Sequence, residues 1–323
     1  MTATQAKISG VGSYLPRRIL TNAELSTMVE TTDAWIKERV GISERHIASS
    51  DETNAFMATE AAKQALTHAG LQAKDLDLII IATSTPDQLM PGVATEVQFR
   101  LGASCAAFDL NAACGGFVYG IHVVKQFFDA GSVKNVLLIG SERMSRIIDW
   151  TDRSTCVLFG DGAGAVVFSA SEVPQLLASR IFSDGSQREL LHTGSQFRED
   201  PFVGACHTSK VMMEGNKVFR VAVEKLEAVV EIILAEAGLR QDQIDWLVPH
   251  QANARIIMAT AKKLNLSMDK VMMTLVTHGN TTAATIPLAL AEGVLSGKIK
   301  RGDVLLFEAF GAGFVWGASI VKF

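Results

Sequence analysis

Short apolar runs alternate with stretches of helically spaced apolar residues along the first half of the chain. The spacing predicts helices over 53–69, 93–102 and 114–130, and the apolar runs predict strands over 77–83, 105–109 and 134–140. Strands that alternate with helices usually join through right-handed crossovers, so a mixed, mostly parallel sheet covered by helices is expected in each half. The pattern therefore predicts an α/β fold.

Two segments of the chain repeat the same short motif. "AGLQAKDLDLII" from Ala69 and "AGLRQDQIDWLV" from Ala237 each place a glycine at the end of a helix, then a short link, an aspartate and a strand. Farther along, "VLFGDGAGAVVFSA" and "LLFEAFGAGFVWGASIV" each suggest a strand, a Gly-Ala-Gly turn and a second strand. The repeat predicts two similar halves, 1–172 and 173–323, with a ligand site between them at the carboxyl ends of strands.

Composition and charge exclude several classes of protein. The 323 residues are 48% hydrophobic and 20% charged with only 7 prolines, which is typical of a compact globular protein. The segment "MTATQAKISGVGSYLP" does not join a basic stretch to an apolar one, and no apolar run reaches about 18 residues. We therefore expect a soluble cytoplasmic protein with no membrane partner. The formal net charge of -4 argues against a general nucleic-acid binder.

Cys114 is the first candidate for chemistry. It follows the apolar run "AAFDL" and opens a predicted helix, where the helix dipole and free N–H groups favour the nucleophilic thiolate form. Gly115 and Gly116 would let a ligand approach the backbone closely. The competing interpretation of Cys114 is a small buried hydrophobic residue.

His250 and Asn280 are the other two candidates. His250 ends the strand predicted by "IDWLVPH", so its side chain can point out of the sheet end, although a hydrogen-bonded core histidine is the alternative. Asn280 in "HGNTTAATIP" is also what an ordinary helix N-cap or turn would place there. All three residues fall in the region expected between the two halves.

Two familiar kinds of site are disfavoured. Cys105, Cys156 and Cys206 are far apart and suit packing roles, and without a C-x-x-C motif or a nearby histidine pair we expect no metal site. "GDGAGA" from Gly160 fits a dinucleotide-binding pattern. The residues after it predict a strand, however, so no helix N-terminus is available for a pyrophosphate.

The order of Cys114, His250 and Asn280 in a duplicated α/β chain resembles the Cys-His-Asn set of the thiolase-fold condensing enzymes. The chain is most similar to the β-ketoacyl-[acyl-carrier-protein] synthase III family. The motifs that carry this resemblance span the whole chain: "GVGSYLP", "TTDAWI", "ERVGISERH", "DRSTCVLFGDGAGAVV", "MEGNKVF", "WLVPHQAN", "HGNTTAATIP" and "EAFGAGFVWG". A degradative thiolase would carry a second cysteine late in the chain, and the elongating synthases a histidine in place of Asn280.

The resemblance implies a thiolase-like fold and a two-stage acyl transfer. Cys114 would take an acetyl or short acyl group from CoA, with the backbone N–H groups of Cys114 and Ala312 as the oxyanion hole. Malonyl-carrier protein would then lose CO2 and attack the acyl-enzyme, with His250 and Asn280 donating hydrogen bonds to the malonyl thioester oxygen. No metal or redox cofactor is implied, and acyl-CoA is a substrate.

The resemblance also implies contacts to CoA, to the carrier protein and to a second subunit. Trp35 and Arg153 would hold the adenine between them. The other implied residues are Thr31, Arg39, Gly215 and Asn253 for CoA, Arg255, Lys262 and Lys263 for an acidic carrier protein, and Met90 for the wall of the partner's acyl pocket in a homodimer. Val40 stands where the family usually has threonine, and Ala312 where it usually has glycine.

Two other classes of function remain open from the residues. A relative of chalcone synthase or of 3-hydroxy-3-methylglutaryl-CoA synthase would share the Cys-His-Asn set but use an extender carried by CoA. A catalytically silent scaffold of the same fold would need a broken triad, and here the triad is intact.

Overall fold

The computed structural model describes residues 5–194, 199–200, 204–205 and 210–323. Cys206, for which a packing role was expected, lies outside this part of the chain. In chain order the elements are β1 (Gln5–Tyr14), β2 (Arg18–Thr21), α1 (Asn22–Leu25), α2 (Asp33–Val40), β3 (Glu44–Ile47), α3 (Asn54–Ala69), β4 (Leu78–Ala82), α4 (Val93–Leu101), β5 (Ala106–Leu110), α5 (Gly116–Asp129), β6 (Asn135–Arg143), α6 (Arg153–Cys156), β7 (Asp161–Ser171), β8 (Leu176–Ser183), β9 (Leu191–Thr193), β10 (Glu199–Asp200), β11 (Gly204–Ala205), β12 (Val211–Met213), α7 (Gly215–Ala237), β13 (Trp246–Pro249), α8 (Ala254–Lys263), α9 (Leu275–His278), α10 (Thr285–Leu295), β14 (Val304–Gly311) and β15 (Val315–Lys322).

The two main sheets have the same strand order and the same strand directions. One sheet runs β1-β7-β6-β4-β5 and the other β13-β14-β15-β8. In both sheets, two antiparallel pairs of neighbouring strands are followed by one parallel pair. The strands β1-β7-β6-β4 of the first sheet therefore correspond in order to β8-β15-β14-β13 of the second. In the second sheet, an isolated parallel bridge between Leu247 and Val271 corresponds to the pairing of β4 with β5 in the first sheet. This correspondence confirms the internal duplication and the α/β fold.

The sheets are mixed, as the sequence predicts, but they are not mostly parallel, and that part of the expectation is wrong. Parallel pairing is confined to β5-β4-β6 and β13-β14, and the remaining pairs within both sheets are antiparallel. Only three residues connect β14 to β15, which forces an antiparallel hairpin, since a parallel connection needs a dozen or more residues. In the first half, moreover, "DGAGAVVFSAS" is one continuous strand, β7, and the Gly-Ala-Gly segment is not a turn between two strands.

The core is layered, with helices between the two sheets as well as outside them. α3 and α4 pack on one face of the first sheet through small residues such as Ala58 and Ala61. The opposite face contacts α5 and α10, which also pack against the second sheet, where Phe307 is fully buried. α7 and α8 cover the far side of that sheet. The N-termini of α5 and α10 therefore lie at the centre of the molecule. No helix in the described ranges is long and apolar enough to span a bilayer.

Candidate active site

Cys114 lies in a tight turn between β5 and α5. Residues 113–115 form a single 3-10 turn before the α-helix begins at Gly116, two residues later than the sequence predicts. Ala113 takes a left-handed backbone, with φ of 43°, which is unusual for a residue with a side chain. The sharp reversal places Cys114 at the head of the central helix α5.

A second turn of the same shape precedes α10 in the other half. Residues 282–284 form a 3-10 turn, and Thr282 repeats the left-handed backbone of Ala113 with φ of 47°. The two turns pack closely, because a Cβ on Gly116 would lie 3.3 Å from the Cβ of Ala283. The duplication thus extends to the backbone of the site itself.

His250 directly follows β13, at the predicted strand end. Its N–H donates to the carbonyl of Glu308 on β14 over 2.8 Å, and its ring Nδ1 lies 2.7 Å from the hydroxyl of Thr285 on α10. Burial lowers the pKa of His250 from 6.5 to about 3. The imidazole is therefore neutral in the resting protein.

Asn280 is fixed by its backbone and by the oxygen of its side chain. Its N–H donates to the carbonyl of Leu158 over 2.9 Å, and its own carbonyl accepts from Gly160 over 3.1 Å. The side-chain Oδ1 accepts from the N–H of Thr282 over 2.9 Å, as in an ordinary asparagine cap. Because the oxygen is occupied, the Nδ2 group is left as the donor that Asn280 can offer a ligand.

The resting state of Cys114 differs from the expected thiolate. Burial raises the pKa of the Cys114 thiol from 9.0 to about 12, and the nearby Glu142 carboxyl acts in the same direction. The local backbone N–H acts the other way but does not compensate. Desolvation of the buried sulfur disfavours the charged form and outweighs the helix N-terminus. A nucleophilic role for Cys114 would therefore require a base that takes the thiol proton.

The turn between β14 and β15 closes against Cys114. A Cβ on Gly311 would lie 2.8 Å from the backbone nitrogen of Cys114, so glycine is needed for this approach. Ala312 follows directly and lines the same cavity as Cys114. Ala113, Asn265 and Thr282 are the described non-glycine residues with a positive φ, so Ala312 carries its Cβ in an ordinary backbone conformation.

One cavity of about 1410 Å³ brings most of the expected residues together. Cys114, His250, Asn280 and Ala312 all line it, and so do the expected CoA residues Trp35, Arg39, Gly215 and Asn253 and the expected docking residue Arg255. Thr31, Arg153, Lys262, Lys263 and Met90 are not part of this lining. Two arginines that the sequence did not single out, Arg188 and Arg220, do line the cavity.

Several expected binding residues already have partners within the chain. Arg153 lies over the ring of Trp35, 5.0 Å from its centre, and Arg39 lies 6.0 Å from the same ring. Asn253 caps α8 through its Oδ1 and donates from Nδ2 to the carbonyl of Arg39 over 3.2 Å. Lys263 forms an ion pair of 2.7 Å with Glu231.

Two buried carboxyl groups near the cavity escaped the sequence analysis. Glu308 lines the cavity, and its buried Oε2 has no hydrogen-bond partner among the described residues. Burial raises its pKa from 4.5 to about 8. Glu142 is fully buried and accepts from the backbone and hydroxyl of Ser84. Each lies in a strand that reads as apolar, so only its burial in the fold sets it apart.

The glycines of "GDGAGA" have a packing role, as the absence of a following helix suggested. A Cβ on Gly164 would lie 2.5 Å from the backbone nitrogen of Leu288, so glycine lets α10 lie directly on β7. The motif is part of the core and not a phosphate-binding loop.

Comparison with known proteins places the chain in one family. Residues 234–323 match the family model described as 3-oxoacyl-[acyl-carrier-protein (ACP)] synthase III C terminal, and residues 108–185 match 3-oxoacyl-[acyl-carrier-protein (ACP)] synthase III. A curated relative from Thiobacillus denitrificans, named β-ketoacyl-[acyl-carrier-protein] synthase III, is 50% identical over 322 residues, which cover 99% of this chain and 100% of the relative.

Solved structures agree with the sequence comparison. The 3-oxoacyl-[acyl-carrier-protein] synthase III of Aquifex aeolicus superposes with a TM-score of 0.92 at 46% identity, covering 98% of this chain and 100% of that one. The synthase III of Thermus thermophilus gives 0.93 at 37% identity, covering 98% and 99%. Similarity of this extent along its whole length shows that the chain belongs to the β-ketoacyl-[acyl-carrier-protein] synthase III family, whose members are condensing acyltransferases that initiate fatty-acid biosynthesis.

Proposed function

We propose that this enzyme condenses acetyl-CoA, or a short acyl-CoA, with malonyl-carrier protein through an acyl group on Cys114. The observation that carries the proposal is the convergence of Cys114, His250, Asn280 and the backbone of Ala312 on one cavity. The reaction releases CoA and CO2 and consumes one proton. The residues on the cavity wall supply a nucleophile, a base and fixed donors, and no further cofactor is needed.

In the first stage Cys114 attacks the thioester carbonyl of the acyl-CoA. Because the thiol is neutral at rest, its proton passes to His250 as the sulfur–carbon bond forms, and His250 then protonates the departing CoA sulfur. The N–H groups of Cys114 and Ala312 receive the oxyanion, and one such donor is worth about 3 to 4 kcal/mol. The stage ends with an acyl-cysteine and a neutral His250.

In the second stage the malonyl group loses CO2 and the resulting enolate attacks the acyl-cysteine. Negative charge develops on the malonyl thioester oxygen, where the Nδ2 group of Asn280 is free to donate. The malonyl carboxylate favours a charged His250 by raising its pKa, so His250 takes the consumed proton from solvent. His250 donates to the same oxygen and then returns the proton to the Cys114 sulfur that the product leaves.

CoA recognition is proposed for the mouth of the cavity. Arg39, Arg188, Arg220 and Arg255 line it, and such a cluster suits a ligand with several phosphates. Trp35 and Arg153 offer an aromatic face and a planar guanidinium for adenine, and the two would separate to admit the base between them. Gly215 and Asn253 line the same cavity and are proposed contacts of the pantetheine arm. Thr31 lies four residues before Trp35, and its buried hydroxyl has no hydrogen-bond partner within the described ranges.

Carrier-protein docking is proposed for the exposed face of α8. Arg255, Met258 and Lys262 lie at spacings of three and four residues, so they share one helix face, and all three are exposed. A basic stripe with one apolar side chain suits an acidic protein surface. Lys263 belongs to the same turn but is held by Glu231.

A homodimer is proposed through the edge of the first sheet. β5 is an outer strand, and Phe108 on it is 38% exposed. Phe99 on the neighbouring α4 is 82% exposed, and Met90 on the preceding loop is 81% exposed. An open strand edge beside large exposed apolar side chains is typical of a surface that another chain covers.

We also propose that the chain divides into two halves, 1–172 and 173–323. The enzyme is proposed to act in the cytoplasm.

Mass spectrometry after mixing the protein with acetyl-CoA tests the central step. We expect the mass of the peptide that contains Cys114 to increase by one acetyl group. We expect no such increase in Cys114→Ser, because the pKa of a serine hydroxyl is much higher than that of a thiol and no neighbouring base is strong enough to take its proton. Acetylation elsewhere, or acetylation of Cys114→Ser, would remove Cys114 from the mechanism. Use of malonyl-CoA in preference to malonyl-carrier protein would favour the chalcone-synthase-like alternative.

A further inference from the structure

Thr285 is the buried partner of the His250 ring. It is 2% exposed at the first turn of α10, and its hydroxyl Oγ1 lies 2.7 Å from His250 Nδ1. The same hydroxyl donates to the carbonyl of Thr282 over 2.9 Å. A hydroxyl has one hydrogen, so when it donates to Thr282 it can only accept from the ring. The proton of the neutral imidazole is then on Nδ1.

We infer that Thr285 is a positioning residue that holds His250 in the Nδ1–H tautomer and so keeps a lone pair on Nε2 for the Cys114 proton. Nδ1 is the ring nitrogen that the described residues engage, which leaves Nε2 for the cavity that His250 lines. The inference rests on the proposed function, in which His250 accepts that proton. The tautomer presents the unprotonated ring nitrogen to Cys114, so the imidazole does not have to rearrange before it accepts the proton.

The same hydroxyl also suits the second stage. When His250 carries the proton that the condensation consumes, both ring nitrogens are donors, and Nδ1–H keeps Thr285 as its acceptor. No proton moves through Thr285 in either stage, and every transfer occurs at Nε2. Thr282 completes the arrangement, because its N–H fixes the Asn280 side chain while its carbonyl orients Thr285. One turn therefore aligns both donors of the second stage.

Nitrogen NMR of the wild-type protein labelled with ¹⁵N-histidine tests the tautomer directly, with the His250 signals assigned by comparison with His250→Gln. We expect Nδ1 in the range of a protonated ring nitrogen and Nε2 in the range of an unprotonated one at neutral pH. The opposite pattern overturns the inference, and it does so whether or not Cys114 is acylated.

Rates of acetyl transfer to Cys114 in Thr285 variants give the functional test. Thr285→Val keeps the shape of the side chain but removes the acceptor, and we expect acylation to slow about 10- to 100-fold, a part of what a general base contributes. Thr285→Ser restores the hydroxyl and should recover most of the rate. Thr59→Val is the matched control, because Thr59 is equally buried and donates to a carbonyl of its own helix, α3, away from the site.

The outcomes separate the two proposals. If wild type acylates Cys114 and Thr285→Val does so at the same rate, Thr285 does not position the base. If wild type fails to acylate Cys114 at all, the proposed function fails, while the NMR result still decides the tautomer. A loss in Thr285→Val that Thr285→Ser does not rescue also overturns the inference.

Discussion

Asn280 is held through its side-chain oxygen, and its side-chain nitrogen is the group that we propose acts on the malonyl thioester. The Oδ1 atom accepts from Thr282, so replacing Nδ2 alone should leave the turn intact. Asn280→Asp makes that replacement and puts a carboxylate where the enolate charge develops. We expect acylation of Cys114 within about threefold of wild type and condensation slower by about 10²-fold or more, the usual cost of one such donor. Separate assays of CoA release and of malonyl decarboxylation measure the two stages, and equal losses in both would contradict the assignment.

Glu308 should make the protein less stable as the pH rises. Its pKa is raised from 4.5 to about 8 because the carboxyl is buried, so the folded state keeps a proton that the unfolded chain releases. Stability is therefore lost between about pH 4.5 and 8, by up to about 5 kcal/mol. We expect Glu308→Gln to melt above wild type at pH 8.5, with the gap closing towards pH 4.5. Glu224→Gln on the surface is the control, and a gap that does not change with pH would refute the idea.

At this scale the sequence identifies reactive groups better than their environments. Cys114, His250 and Asn280 stood out because each follows a predicted strand or turn, which is where side chains reach a ligand. Thr285 and Glu308 carry no comparable signal, because their roles depend on contacts between α10, β13 and β14. The ionisation of Cys114 was predicted in the wrong direction for the same reason, since burial is a property of the fold.

Helix α8 combines capping, packing and an exposed basic face. Asn253 caps it and Ile257 packs in the core. Lys262 is exposed near the C-terminal end of the helix and forms no ion pair with the residues that the structure describes. Lys263 differs, because its ion pair with Glu231 already satisfies it. The two adjacent lysines therefore offer a matched comparison of a free and a paired charge.

We expect Lys262→Glu to raise the KM for malonyl-carrier protein about fivefold, which corresponds to about 1 kcal/mol, while Lys263→Glu has a smaller effect. Neither should change the rate of acylation by acetyl-CoA. The difference should shrink as salt screens the contact. Arg255→Glu is a less specific probe, because Arg255 also lines the cavity in which we propose that CoA binds. Equal effects of the two lysine variants would exclude this docking face.

Elements were predicted well where the apolar spacing is regular. The expected helix over 53–69 is α3, and the expected strand over 105–109 is β5, displaced by one residue. The predicted elements are wrong where a glycine allows two elements to pack closely against each other. Gly164 lies inside β7, where the absence of a side chain lets α10 pack directly on the strand. In the sequence pattern, such a glycine predicts a turn instead.

At the scale of the molecule, the duplication was visible in the sequence but the sheet directions were not. The paired motifs at Ala69 and Ala237 do end equivalent helices, α3 and α7, each closed by a left-handed glycine. Two such halves, packed through α5 and α10, bring the Cys114 turn and the Thr282 turn face to face. Cys114 from the first half and His250 and Asn280 from the second line one cavity, so the proposed catalytic groups come from both halves.

The open edge of the first sheet should be the dimer interface. Phe108→Glu places a charge on the exposed side of β5, and we expect it to yield monomers, because a buried unpaired charge is costly. Leu295→Glu is the control, since Leu295 is 58% exposed on α10 and lies outside the proposed interface. Light scattering during gel filtration gives the mass of each variant. A Phe108→Glu protein with the mass of wild type would place the interface elsewhere.

Met90 should set the range of acyl primers through that interface. It is 81% exposed in its own chain and lines no part of that chain's cavity, so a role in the pocket requires a second subunit. An unbranched thioether changes shape at low cost, so acetyl-CoA should be preferred while propionyl- and butyryl-CoA remain usable. Discrimination of about 1 to 3 kcal/mol per methylene would make that preference graded. We expect Met90→Phe to narrow the range and Met90→Ala to widen it, as measured by kcat/KM for the three primers. Met268→Phe, at another exposed methionine, should change neither ratio. If the Met90 variants also left the ratios unchanged while the protein remained dimeric, chain-length control would lie in the cavity wall of each subunit itself.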